Sequence, residues 1–371
     1  MARTTTGMRD SAGSAAASRP IVRELAGQAQ RLDVVFDPRT AFDFLVSIKG
    51  GTEHDADLLP GDAAWVERSL AALPAAVRAD IDVYFGDESL GLPYSLPGLI
   101  VEHPAVTDAA SLIRFVRAMP TDKLAALVLG MMLNKHNVQD LSTEIVAGDD
   151  DALDSVCEPL DEQHRQKLID FVANRDTELG RMLAVLEAWL PIYQEVEPRV
   201  AGMAKRDITS RKADRARAGE DVVGLIERTT GGLRWFPETG VRRVILAPQY
   251  FGRPFNYVFQ GSDWRLFAYP IAESALGALG SGIPPQSMVR LYRALGDSTR
   301  MRVLRLLSDR DWYLTELATQ LELSKPTMKH HLALMRSAGL VTVTEQGGLT
   351  YYSLRRERLL EAGVELQQYI N

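Results

Sequence analysis

Only one cysteine, Cys157, occurs in the 371 residues, which rules out an internal disulfide and suits a reducing cytoplasm. Long apolar runs are missing too. The longest, around Leu124 to Leu133, is about ten residues, half of what a bilayer-spanning helix needs, so no membrane partner is expected. Outside the C-terminal part the histidines are His54, His103, His136 and His164, scattered without metal-ligand spacing. No glycine-rich nucleotide loop and no Gly-x-Ser-x-Gly elbow is present. Cys157 has no recognisable base partner and reads as a small buried hydrophobe. Glu53 to Asp57 reads as a polar loop ahead of Pro60, and Asp149 to Asp151 as carboxylates at the positive end of a helix. No catalytic residue, metal or cofactor is expected.

What is present exceeds one hydrophobic core, so two or more domains are expected. Apolar residues at 46% and charged residues at 25% are ordinary for a globular chain. Residues 1–30, rich at first in Ala, Ser, Thr and Gly, read as a disordered tail and not as a signal peptide. The net charge of −7 is unevenly distributed: residues 287–371 hold twelve basic and nine acidic side chains, so the acidic excess lies in the rest. Arginine outnumbers lysine 34 to 8, which looks like coding bias, so arginine content alone does not argue for phosphate binding.

Residues 31–276 are expected to form a mainly helical domain. Met182, Leu183, Leu186, Leu190 and Tyr193 share one helical face, and Val222 to Ile226 begins another amphipathic helix after a charged run from Lys205 to Glu220. Pro60-Gly61 and Pro97-Gly98 are read as loop punctuation. From 231 to 271 the segments are short, aromatic and β-branched, and predict a small antiparallel meander. Its rings, Tyr250 to Tyr269 among them, suit the core of a sheet and also the wall of an organic-ligand pocket. Residues 277–286, with Gly-Ser-Gly-Ile-Pro-Pro, are expected to be a linker.

The C-terminal 287–371 segment carries the most specific pattern. Asp297 is placed to cap a helix whose stripe is Met301, Val303, Leu304 and Leu307. Leu314, Leu317, Ala318 and Leu321 supply a shorter helix. Ser324 then caps a third helix with Pro326 in its first turn, where a missing N–H costs little. Met328, Leu332 and Met335 face inward there, leaving Lys325, Thr327, Lys329 and His330 on the opposite face, where a recognition helix meets bases and phosphates. Strands at Val341–Val343 and Leu349–Tyr352 flank a hairpin tip at Glu345–Gly348.

The stretches Ala-Leu-Gly-Asp-Ser-Thr-Arg-Met-Arg-Val-Leu from 294, Ser-Lys-Pro-Thr-Met-Lys-His-His-Leu from 324, and Ala-Gly-Leu-Val from 338 with Tyr351-Tyr352 resemble the ArsR-like family of bacterial winged-helix regulators. The resemblance spans 287 to about 358, under a quarter of the chain. It implies a homodimer on a palindromic operator in double-stranded DNA, repressing until an effector releases it, with the helices at Met288–Leu295 and Arg356–Ile370 forming or supporting the dimer seam. A cytoplasmic, nucleoid-associated location follows. The expected DNA-contacting set is Ser324, Lys325, Thr327, Lys329, His330, Arg336, Gln346, Gly347, Thr350 and Tyr351. The chain departs from the family where many members carry a cysteine pair, since it has Tyr313 and Thr315 there. Its final helix has no His or Cys, and Gly348 stands where a basic wing residue is common. Metal sensing through the usual sites is therefore not expected, and a small organic effector is sought in 31–276, near Tyr250 to Tyr269. The competing reading is a protein-interaction or enzymatic N-terminal module, with the winged helix used for protein contacts. The fold class expected is mainly α with small antiparallel β: a helical N-terminal domain and short meander, then a winged helix-turn-helix.

Overall fold

Helix Arg175–Ala218, 44 residues and so about 66 Å long at 1.5 Å per residue, is the spine of the N-terminal body in the computed structural model. The model describes residues 32–50, 58–85, 92–135, 138–218, 221–277, 284–346 and 349–371. The expected tail, the Glu53–Asp57 segment, His54, His136, Gly347 and Gly348, and linker positions 278–283 lie outside the described residues. Along the spine Met182, Leu186, Trp189 and Tyr193 are buried in the main core, one face as expected, with Leu183 and Leu190 packed at its border. Shorter helices pack around it, among them Ala41–Gly50, Pro60–Ala72 and Ala109–Ala118. The two Pro-Gly pairs are not loops. Pro60 opens a helix, where its fixed φ is favourable, and Pro97 lies inside helix Leu92–Glu102.

Asp43 ties this body together. Its carboxylate accepts the N–H groups of Tyr250 (2.5 Å) and Phe251 (3.0 Å) and the Tyr193 hydroxyl (3.0 Å). Burial pushes its pKa up to about 6, although these three donors pull the other way.

Two four-stranded sheets follow, and here the expected antiparallel meander is corrected. Of strands β1 (Asp33–Phe36), β2 (Leu233–Trp235), β3 (Arg243–Gln249), β4 (Tyr257–Gln260) and β5 (Trp264–Pro270), consecutive in the chain, only β4 and β5 pair with each other. The first sheet has the order β1-β3-β5-β4; β1–β3 and β3–β5 are parallel, and only β4–β5 is antiparallel. The reason is burial. Val244 to Ala247 and Leu266 to Tyr269 are covered on both faces, as parallel strands are, and no wet face remains for a meander. Trp235, Tyr250, Phe251, Phe259, Trp264, Phe267 and Tyr269 are all buried, so these rings are core.

Strand β2 leaves that sheet altogether. The second sheet combines it with β6 (Trp312–Tyr313), β7 (Val341–Gln346) and β8 (Leu349–Leu354) of the C-terminal part, in the order β2-β7-β8-β6. Leu233, Arg234 and Trp235 pair in parallel with Val343, Thr344 and Glu345, and the Val343 N–H donates to the Gly232 carbonyl at 2.9 Å. Gly231 and Gly232, at φ 71° and 126°, turn the chain sharply out of helix Val222–Thr230 into this pairing. A Cβ on Gly232 would lie 3.1 Å from the Val341 carbonyl oxygen, so the close approach itself selects glycine. The side chains of Leu233 and Trp235 join a small core with Phe36, Ile226, Leu246 and Phe267. A second tether is Glu273, whose carboxylate accepts the N–H groups of Gln286 and, at 3.1 Å, Ser287, the first residues of helix Gln286–Leu295. Leu32–Asn371 is one compact body as a result.

Candidate nucleic-acid interface

The C-terminal part builds its surface from a small core of its own. Helix Gln286–Leu295 buries Met288, Leu291 and Ala294. Helix Ser298–Leu307 starts at Asp297, whose carboxylate accepts the Arg300 N–H at 2.8 Å, and this bond holds its pKa below the usual range. Val303, Leu304 and Leu307 are buried as expected; Met301 is not, at 50% exposed. Helices Leu314–Gln320 and Lys325–Ser337 then form the helix-turn-helix, joined by a turn in which Glu322 takes a left-handed φ of 57°.

On the second of these helices Met328, Leu332 and Met335 are fully buried, which fixes its rotation about its axis. Ser324, Lys325, Thr327, Lys329 and His330 are consequently exposed together at its N-terminal end. Ser324 accepts the Thr327 N–H at 3.2 Å, and the two hydroxyls lie 2.7 Å apart. They therefore serve the cap and each other first. The helix N-terminus adds its own partial positive charge to that of the lysines. His331 turns the other way; burial lowers its pKa, so its ring favours the neutral form.

The wing hairpin pairs Val341 with Leu354 through to Gln346 with Leu349. Thr350 and Tyr351 are half-buried on the second wing strand. Tyr351 stacks on Tyr313 with ring centroids 4.2 Å apart, and their hydroxyls are hydrogen-bonded. Gly347 is outside the described residues. Arg336 is not with the other expected contacts: it sits in the last turn of Lys325–Ser337, about 16 Å along the axis from Lys325, beside a cleft against the N-terminal body.

Among the described residues no group of three or more His, Cys, Asp or Glu could hold a metal ion. Cys157 is buried and its thiol is pushed up by that burial. Asp149 caps helix Asp150–Cys157 by accepting the Ala152 N–H at 3.0 Å, as a helix-start reading requires. Nor is any helix among the described residues long and apolar enough to cross a membrane.

A helix-turn-helix domain family matches residues 295–344. The transcriptional regulator CmtR of Mycobacterium tuberculosis is 38% identical over 84 residues, 23% of this chain and 71% of CmtR. The transcriptional repressor SdpR of Bacillus subtilis is 30% identical over 84 residues, 23% of this chain and 93% of SdpR. Among solved structures, one of an ArsR family transcriptional regulator is 26% identical and covers 24% of this chain and 93% of that one, with a TM-score of 0.21.

Proposed function

We infer that this chain, which belongs to the ArsR-like family of winged helix-turn-helix transcriptional regulators, works as a homodimeric repressor on a palindromic operator and is released by a non-metal effector acting through residues 31–276. DNA binding as a transcriptional regulator is the common property of such chains. The repressor sense, the dimer and the effector are the further steps.

The observation that carries DNA reading is the rotation of helix Lys325–Ser337. Its methionines and Leu332 are buried, and Lys325, Thr327, Lys329 and His330 stand exposed at one end. Among the described residues neither lysine forms an ion pair, so both charges are available to phosphates or to guanine edges. Ser324, Gln346, Gly347, Thr350, Tyr351 and Arg336 complete the proposed contact set.

The dimer is supported by the last helix, Arg356–Ile370. Leu360, 78% exposed, and Val364, 54%, lie one turn apart on one face, an apolar patch that a single copy leaves in water. Helix Gln286–Leu295 does not offer such a patch; it packs inward and supports the last helix through the Tyr292 hydroxyl, which donates to the Ala362 carbonyl at 2.9 Å. A two-fold seam on the final helix would place two recognition helices about one DNA turn, ~34 Å, apart.

The test is titration of the full chain against promoter DNA flanking its own gene, with unrelated DNA as control, at several salt concentrations. Lys325→Ala with Lys329→Ala weakens specific binding by roughly 1–3 kcal/mol for each base edge that these lysines meet. A lysine that meets a phosphate instead flattens the salt slope by about 0.9 when it is removed. Unchanged affinity and slope in the double variant would overturn the placement of the interface.

A further inference from the structure

Behind the recognition helix, the C-terminal part meets the N-terminal body across a cleft of about 430 Å³. Seven arginines line it against two glutamates, Glu273 and Glu361; Asp207 and Glu365 offset two of the arginines, and the positive excess that remains in the lining attracts anions. One wall belongs to the N-terminal body: Arg228 to Gly231 at the end of helix Val222–Thr230, Arg211 from the spine, and the Arg253-Pro254 turn. The other wall belongs to the reader: Arg290, Arg336, Arg355 and Arg358.

Several of these side chains are held in place by neighbours. Arg211 pairs with Asp207 at 2.8 Å and lies over the Tyr269 ring at 4.6 Å. Arg290 donates to the Ser337 carbonyl at 2.9 Å, at the C-terminal end of the recognition helix. Arg358 is held by two carboxylates, Glu361 at 3.1 Å and Glu365 at 3.0 Å, and Glu273 is occupied capping Gln286 and Ser287. Gly339, at φ 74°, turns the chain out of the helix end beside Arg355 and Arg358. Arg253 is 3% exposed and lies at the buried end of the N-terminal wall. The cleft is thus a set of planar, pre-positioned forks, the geometry that takes carboxylate and phosphate oxygens two at a time.

We propose that this cleft binds a small molecule carrying two or more anionic groups, phosphate or carboxylate, which bridges arginines of both walls and locks the reader on the N-terminal body. For its regulatory consequence this rests on the effector reading above and names the site and chemical class of that effector. DNA is the weaker occupant. The cleft opens at the opposite end of the recognition helix from Lys325, and a near-fully buried Arg253 is out of reach of a duplex lying on the Lys325 face. Because the two walls belong to the two parts of the chain, a bridging anion has a different affinity for each arrangement of them, which is what regulation requires.

The experiment uses the full chain and three probes: inorganic phosphate, pyrophosphate and citrate, each titrated calorimetrically at constant ionic strength set with NaCl. Pyrophosphate or citrate binds at one site per chain, tighter than monovalent salt accounts for, and whichever binds tighter assigns the phosphate or carboxylate class. Arg228→Gln and Arg355→Gln each weaken that binding roughly tenfold or more. Arg228 is exposed and Arg355 half-buried, so both variants keep their unliganded melting temperature. Lys325→Ala with Lys329→Ala leaves anion binding unchanged. Absence of any probe binding above the NaCl control overturns the proposal; so does binding that disappears in the lysine variant and persists in the arginine variants. Operator titration separates the two readings. A chain that binds operator but no anion refutes the cleft alone, and one that binds the anion through Arg228 and Arg355 but no operator supports the cleft and refutes the regulator.

Discussion

Gly232→Val tests the joint between the two parts of the chain without touching the DNA face. At φ 126° a residue with a side chain costs roughly 1–3 kcal/mol, and a Cβ there would meet the Val341 carbonyl oxygen at 3.1 Å, which is backbone and cannot swing aside. The chain can accept that strain or shear β2 from β7. Shearing forfeits the bond from the Val343 N–H to the Gly232 carbonyl and the rest of a three-residue ladder, each bond worth about 1 kcal/mol net. Both routes lower the free energy of opening at that edge by a similar amount. The Val343 amide therefore exchanges with deuterium about 5- to 150-fold faster in the variant, the factor that 1–3 kcal/mol corresponds to. Gly240→Val is the control: its φ is 91° but nothing lies within 4 Å of its Cβ, so it carries the dihedral cost without the clash. Global stability falls in both variants, but Val343 exchange accelerates out of proportion only at Gly232. Equal protection of Val343 in wild type and Gly232→Val would refute the claim that β2 holds the wing sheet.

Leu360→Glu with Val364→Glu places charge on the exposed patch of the last helix; light scattering then reports a monomer where the wild type is a dimer, and a monomeric wild type would remove the seam. Asp43→Asn removes a pH dependence. With its pKa raised by burial from 3.8 to about 6, the folded chain keeps a proton that the unfolded chain releases, so this residue's contribution to stability falls as pH rises from about 4 to 6, by up to about 3 kcal/mol. Urea midpoints of wild type and Asp43→Asn at pH 4.5 and 7 check it: the variant loses that part of the slope, and equal slopes would mean that Asp43 is ionised throughout. One equivalent of Zn²⁺ leaves operator affinity unchanged, because Tyr313 offers no thiolate; release by Zn²⁺ that disappears in Tyr313→Ala would contradict this.

How much of this was legible differs between the two halves for a physical reason. The reader's interactions are local. Asp297, Ser324, Met328, Leu332 and Met335 act on residues within one or two helical turns, so spacing alone places the caps, the buried stripe and the exposed lysines. Met301 falls outside the stripe because Val303 and Leu304 already complete it. In the N-terminal body the deciding interactions are long-range. Asp43 binds Tyr250 and Phe251 some 200 positions away, and β1 pairs with β3 across a similar distance. A run such as Val244 to Ala247 signals a doubly buried strand but not its neighbour, so the meander expectation takes adjacency in sequence for adjacency in space. The cleft is out of reach for the same reason. Its arginines come from widely separated segments of an arginine-rich chain, and no local pattern marks them.

The position of the joint bears on what the N-terminal body can do to the reader. A winged helix ending at β7 leaves a row of unpaired backbone groups on that edge; β2 covers it from outside the reader, so the wing's orientation is referred to the N-terminal body and not to the reader alone. Glu273 fixes the first turn of helix Gln286–Leu295, and Arg290 on that helix holds the Ser337 carbonyl at the end of the recognition helix. A displacement of the Pro270–Glu273 turn therefore reaches the recognition helix through this chain of hydrogen bonds. Glu273, through Arg290, and the arginine cleft act on the C-terminal end of that helix, β2 acts on the wing strand beyond it, and the exposed lysines occupy its N-terminal end. Over a rod of 13 residues, about 20 Å, a tilt applied at one end becomes a displacement of ångströms at the other, more than a hydrogen bond tolerates. In a dimer the misalignment occurs at both half-sites and their free-energy costs add, so a modest preference of an anion for one arrangement of the cleft becomes a squared factor in operator affinity.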